Sequence, residues 1–266
     1  MNVSKNPWAK FVADDSARQD KKLAADRAKL IAFWREHPWH WLAGVDPTTE
    51  TGEGLGPGFE HLRFPKGRPL LWTTDERDNK QPIKPFPREK EYLYRYIETL
   101  QTERLLAIDK CRQMYISTAT LLYMDWLCRF FIGRCCVLSK RTEEEAIKML
   151  TEKTRRVHER LPAWLREALP MKATPRNVVK YSKSQSDTYA ANEKMAEGMA
   201  RGGTATFVFV DEATYQAHAG DIVAASLPMA NQLVLCGTAN LSNAGARAMK
   251  VIVDEQELVS QTGPGQ

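Results

Sequence analysis

The stretch from Leu105 to Thr118, LLAIDKCRQMYIST, restricts this chain to few folds. A short apolar strand runs into a loop carrying Lys110 and Arg112, and the loop opens a helix at two adjacent hydroxyls, Ser117 and Thr118. Backbone N–H groups at such a helix start cradle phosphate, a cation neutralises it, and a hydroxyl holds Mg²⁺. Laid on the P-loop pattern G-x-x-x-x-G-K-[ST] with Ser117 as the hydroxyl, the sequence puts Lys110, Tyr115 and Ile116 where Gly, Gly and Lys are usual. The letters match poorly, and an ordinary strand-to-helix connection with chance charges competes on this segment alone. The candidate phosphate-binding residues are Lys110, Arg112, Gln113, Met114, Tyr115, Ile116, Ser117 and Thr118. Lys110 or Arg112 supplies the cation, and Ser117 or Thr118 the metal contact.

A second anchor, Thr206 to Glu212, reads TFVFVDE: β-branched and aromatic residues ending in two carboxylates, which is a Walker B pattern. A carboxylate at the C-terminal end of a central parallel strand faces the same sheet edge as a P-loop, where open α/β sheets bind ligands. Asp211 then holds Mg²⁺, and Glu212 orients and deprotonates the attacking water. Acidic residues also end strands as helix caps, so order and spacing matter. The roughly 90 residues between the anchors leave room for a βα unit and a further strand. Gln232 to Asn240, QLVLCGTAN, adds a third strand ending at that edge, where Thr238 or Asn240 is placed to sense the γ-phosphate. A strand followed by a Gly-containing turn is its plain alternative.

Together these segments resemble the ATPase domain of the large terminase subunit of tailed bacteriophages, the motor that packages DNA into proheads. The likeness runs from about Pro85 to Asn240. It is carried by KCRQMYIST, similar to a deviant Walker A; by ARGGTATFVFVDEAT, an RG segment leading into Walker B; and by GTAN, similar to the coupling motif. The resemblance implies a RecA-like (ASCE-type) α/β P-loop NTPase, a mainly parallel sheet flanked by helices with an N-terminal helical arm. It also implies ATP and Mg²⁺ as cofactors, with Lys110 as a phosphate-binding lysine at the head of the loop. Arg201 would act as an arginine finger on the ATP of a neighbouring subunit. Implied partners are double-stranded DNA, further copies in a ring, a portal protein and a small terminase subunit, in the host cytoplasm. The 26 residues after Asn240 leave no room for the family's RNase H-like nuclease, so hydrolysis without DNA cleavage is expected of this chain. Two alternatives stay open: a helicase-like RecA-type NTPase, and a nucleotide-binding assembly module without turnover.

The remainder of the chain fits a domain of this kind, with an arm and loop over 1–80, the ATPase domain over 81–250 and a tail over 251–266. At 43% hydrophobic the chain can bury a substantial core, and no apolar run approaches the roughly 18 residues of a membrane span. Five cysteines without a C-x-x-C pair read as reduced packing residues. Asp14 to His37 reads as an amphipathic helix with Leu23, Leu30, Ile31 and Trp34 as its stripe. His37 to Trp41 is an aromatic packing cluster or a partner anchor, and 46–67 a long Gly- and Pro-bearing loop. Lys84 to Leu100 carries a helix, with Phe86 and Tyr92 placed either against a base or in the core. A buried helix follows over Ser117–Phe131, then a strand over Cys135–Ser139 and a helix from the Thr142/Glu145 capping box to about Leu161. Lys140 to Lys183 holds twelve Lys or Arg against six Asp or Glu, which suits either a DNA-facing surface or solvated helix faces. Asn177 to Ala191 reads as hairpin-like, and Glu197 to Gly203 as a Gly-bearing turn.

Overall fold

A strand that is apolar at successive positions has to bury both of its faces, and Phe207–Asp211 is buried at all five positions. The computed structural model describes residues 7–44, 70–74, 80, 83–110, 114–202, 205–238, 247 and 250. In chain order the elements are α1 (Pro7–Glu36), α2 (Pro38–Ala43), β1 (Trp72–Thr74), β2 (Ile83–Pro85), α3 (Glu91–Thr102), β3 (Leu105–Asp109), α4 (Ile116–Phe130), β4 (Cys135–Lys140) and α5 (Glu143–Leu150). A π-helical turn (Thr151–Arg155) leads to α6 (Arg156–Arg160), α7 (Ala163–Ala168), β5 (Met171–Lys172), β6 (Val178–Tyr181), β7 (Ser186–Asn192) and α8 (Glu193–Arg201). Last come β8 (Phe207–Asp211), a 3₁₀ turn (Ala213–Tyr215), α9 (Ala219–Ser226) and β9 (Gln232–Gly237).

Among the described residues the main sheet has the order β3-β9-β8-β4-β7-β6-β5. Its strands are parallel from β3 to β7, and the antiparallel β6 and β5 close one edge. This is the α/β class that the sequence implied, a mainly parallel sheet flanked by helices. Side-chain alternation sorts the two faces. Phe207, Phe209, Cys136 and Leu138 pack with α4, whereas Val208, Val210, Val137 and Leu235 pack with Ala196 of α8 and Ile222 of α9. The hairpin expected over 177–191 is β6–β7, and β7 is also the parallel neighbour of β4.

The N-terminal aromatics belong to the first of these faces. Trp34 and Trp41 are fully buried there, with ring centroids 5.6 Å apart, and Trp126 Nε1 donates to Trp34 O at 2.8 Å. Pro38 to Trp41 are therefore packing, buried in α2, whereas His37 is the exposed N-cap. Leu30 and Ile31 follow the expected stripe, but Leu23 is exposed. Helix α4 is buried nearly all round, as its sequence requires, and it closes an ion pair inside the protein: Arg129 Nη2 to Asp125 Oδ1 at 2.7 Å, with Tyr181 donating to the same oxygen at 2.8 Å.

Two expectations need correction. The helix beginning at the Thr142/Glu145 capping box forms with both reciprocal hydrogen bonds, but after Leu150 it loosens into the π-helical turn before α6. Over 197–202, the described part of the turn expected over 197–203, the chain is instead the end of α8. Asn192 caps that helix by accepting from the Met195 N–H at 3.0 Å, and Ala196 and Ala200 bury one face at four-residue spacing. Gly198 sits inside the helix, and only Gly202 serves as its C-terminal turn. The 46–67 loop, Cys111 and the 251–266 tail lie outside the described residues. Among the described residues no helix is long and apolar enough to cross a membrane.

Candidate functional site

The loop after β3 is fixed at its head, where the Lys110 N–H donates to Gly237 O at 3.0 Å and joins it to β9. At its other end Tyr115 precedes α4 with φ 56° and ψ 5°, the left-handed region that glycine enters without penalty. The usual glycine is missing at this position, but the backbone conformation it serves is kept. Tyr115 gives α4 no side-chain cap, and first-turn N–H groups at such a helix start lack helical partners. Ile116 packs into the core at 5% exposure while lining the cavity, which leaves no cation at the usual lysine position. Arg112 and Gln113 lie outside the described residues. The Tyr92 hydroxyl donates to Met114 O at 3.1 Å and braces the loop from α3.

The carboxylate at the end of β8 meets this helix directly. Asp211, buried at the end of β8, accepts from Ser117 Oγ at 2.7 Å on Oδ1 and from Lys140 Nζ at 2.9 Å on Oδ2. The same ammonium is 3.6 Å from Glu212, whose side chain is half exposed and whose backbone is also left-handed, at φ 56° and ψ 38°. Burial pulls the Lys140 ammonium towards neutrality, but the charges of Asp211, Glu212 and Glu145 and the hydrogen bond to Asp211 outweigh it, so its pKa lies above the usual lysine value. Lys140 is the member of this cluster that sequence reasoning missed; there it was only the start of a basic stretch. It ends an apolar strand just as Asp211 does, and the pairing of Ser139 with Val210 brings the two ends side by side.

Buried Gln216 holds those ends in register. Its side-chain amide donates to Asp211 O at 2.7 Å and to Ser139 O at 3.2 Å, while its carbonyl accepts from Ser139 Oγ at 3.0 Å. Around them is a cavity of ≈ 400 Å³ lined by Lys110, Met114 to Thr118, Lys140, Asp211 and Glu212, with Glu145, Lys148, Glu152 and Lys153 from α5 and the π-helical turn. Part of the basic stretch thus faces this cavity.

Other expected residues are placed elsewhere. Phe86 is buried and meets Trp39 edge-on at 6.0 Å, so it offers no face to a base. Thr238 stands at the end of β9, where its carbonyl accepts from Thr214 Oγ1 at 3.0 Å; Asn240 lies outside the described residues. Arg201 is exposed and pairs with Glu197 at 2.5 Å. Because Asn192 pairs with Lys140 across β7 and β4, α8 starts at the cavity edge of the sheet and runs back from it, carrying Arg201 about 13 Å away along the helix. Arg201 therefore does not join the Asp211 cluster of its own chain.

The donors suit Mg²⁺. Ser117 and Asp211 present hard oxygens at one point, and a cation, the Lys140 ammonium, already rests on both carboxylates.

No family model matches the chain, and no curated protein sequence does. Solved structures do. The large terminase ATPase domain of Thermus phage P74-26 is 16% identical, with a TM-score of 0.39 over 53% of this chain and 62% of that one. The large terminase of bacteriophage HK97 is 12% identical, with a TM-score of 0.49 over 67% of this chain and 39% of that one. A large terminase from a thermophilic bacteriophage is 14% identical, with a TM-score of 0.43 over 59% of this chain and 39% of that one. The chain thus spans less than two thirds of these proteins, and likeness at this level concerns the fold alone.

Proposed function

We propose that this chain is an ATPase motor domain of the large-terminase type, which couples ATP hydrolysis to translocation of double-stranded DNA into a prohead. The observation that carries the reading is the meeting of Ser117, Lys140 and Asp211 at one point, with Glu212 beside them and an uncapped helix start opposite. Hydrolysis needs such a cluster, because phosphoryl transfer depends mainly on positioning and charge stabilisation. The first-turn N–H groups of α4 and Lys110 receive the phosphates. Ser117 and Asp211 would hold Mg²⁺, which would supply positive charge against the phosphates. Glu212, half exposed at the cavity, orients the attacking water and takes its proton. Thr238, tied to the segment after Walker B through Thr214, passes the state of the site to the neighbouring strand end.

Arg201 completes the reading as a finger that serves a neighbour in a ring, since α8 directs it away from its own site. A portal protein and a small terminase subunit are the further partners of such a ring. A phosphate-release assay with and without duplex DNA tests the proposal. Release that rises with duplex DNA is expected. Release indifferent to DNA would remove the motor assignment, and ATP binding without release would leave an assembly module.

A further inference from the structure

Lys140 raises a question that the hydrolysis scheme does not answer: why a fixed ammonium occupies the metal-binding carboxylates. Its side chain is 12% exposed, and Asp211 beside it is 4% exposed, so this is an enclosed pair and not a surface contact. Gln216 clamps the backbones of both strand ends, at Ser139 and Asp211, which holds the two side chains side by side. Asp211 has one oxygen on Ser117 and the other on Lys140, and Lys140 also reaches Glu212. The groups intended for a divalent cation are therefore already satisfied by one positive charge from the chain.

We propose that Lys140 is a tethered counter-cation that competes with the metal for the Asp211–Glu212 pair. This rests on the reading of Ser117 and Asp211 as the metal donors. While Lys140 is in place, Asp211 is paired and a free divalent ion gains little by entering. A metal that arrives with a triphosphate neutralises only part of that ligand's negative charge, and the remainder gives the displaced ammonium a new partner. Lys140 lines the same cavity as Lys110 and the loop, so on leaving Asp211 its flexible stem stays within reach of the phosphates. The exchange makes metal binding depend on nucleotide. It also provides a cation near the phosphates in a loop where Ile116 occupies the usual lysine position.

The test uses Mn²⁺ alone, followed by electron paramagnetic resonance of the free ion, with no nucleotide present. Lys140→Met keeps the length of the side chain and removes its charge. It should bind Mn²⁺ at least about tenfold more tightly than the parent, since a unit charge at contact distance from the ligand is worth more than a factor of ten even with partial screening. Adding Asp211→Asn to Lys140→Met should abolish the gain. Equal Mn²⁺ affinity in parent and Lys140→Met, with both folded by circular dichroism, would overturn the proposal. So would a gain that survives Asp211→Asn. If Lys140→Met does not fold, Lys140→Gln, which can still donate to Asp211, takes its place under the same criteria. Failure of the ATPase reading shows separately, as absence of phosphate release by the parent, and leaves the Mn²⁺ comparison interpretable.

Discussion

Ser117 Oγ donates to Asp211 Oδ1 at 2.7 Å although 94 residues separate them in the chain. Their strands are not neighbours, since β9 lies between β3 and β8. The contact forms because the first turn of α4 overhangs the end of the sheet, which fixes the hydroxyl and the carboxylate before any ligand arrives. Such preorganisation is what phosphoryl transfer requires of a protein.

The loop before α4 holds a tyrosine where the backbone favours glycine. Tyr115→Gly and Tyr115→Ala remove the same ring and its packing, and they differ in the left-handed conformation at that position. Tyr115→Gly is expected to be the more stable of the two by about 1 kcal/mol in denaturant unfolding. Coincident unfolding curves would mean that the loop does not hold this conformation.

Acid sensitivity should map to His158. Arg129 Nη1 donates to its ring nitrogen at 3.1 Å, and burial first, then the Arg129 charge, push its pKa down from 6.5 to about 4. Asp125 opposes this shift and Arg166 adds to it. Between those values the unfolded chain takes up a proton that the folded chain refuses, so stability falls as pH drops from about 6.5 towards 4. Above that window both states are neutral and the contribution is constant. Thermal unfolding of His158→Gln across the window should fall less steeply than that of the parent. Parallel profiles would remove His158 from the account.

Arg201 and Glu212 can be tested together, because a site shared between subunits allows complementation. Arg201→Ala should slow turnover by roughly 10³ to 10⁵ if the residue is a finger. Mixed with Glu212→Gln, it should recover activity, since some interfaces then combine an intact base with an intact arginine. Mixtures shown to co-assemble but still inactive would leave Arg201 with its structural role, the pair with Glu197.

Much of this was legible in the sequence where local chemistry decides the outcome. The apolar run ending at Asp211 is a strand because it must bury two faces, whereas the run ending at Asp109, read as a buried strand, lies at the sheet edge and is only half-buried; the Thr142/Glu145 box caps a helix as its spacing requires. Helix α8 was hidden because Gly198 and Gly202 look like a turn, whereas the Asn192 cap and the Ala196/Ala200 face outweigh one glycine's helix cost. The left-handed backbone at Tyr115 was not legible, because sequence patterns expect that conformation from glycine and here a tyrosine adopts it. Lys140 was out of reach, since its partner lies 71 residues away and only the pairing of β4 with β8 brings them together.

The most direct test of the account compares ATP binding and steady-state phosphate release in the parent and Glu212→Gln. The substitution removes the carboxylate proposed as the base and leaves Asp211, Ser117 and Lys140 in place. The account predicts nucleotide affinity close to that of the parent and turnover reduced by about 10² to 10⁴, the usual contribution of a general base. Turnover at the parental rate would contradict it.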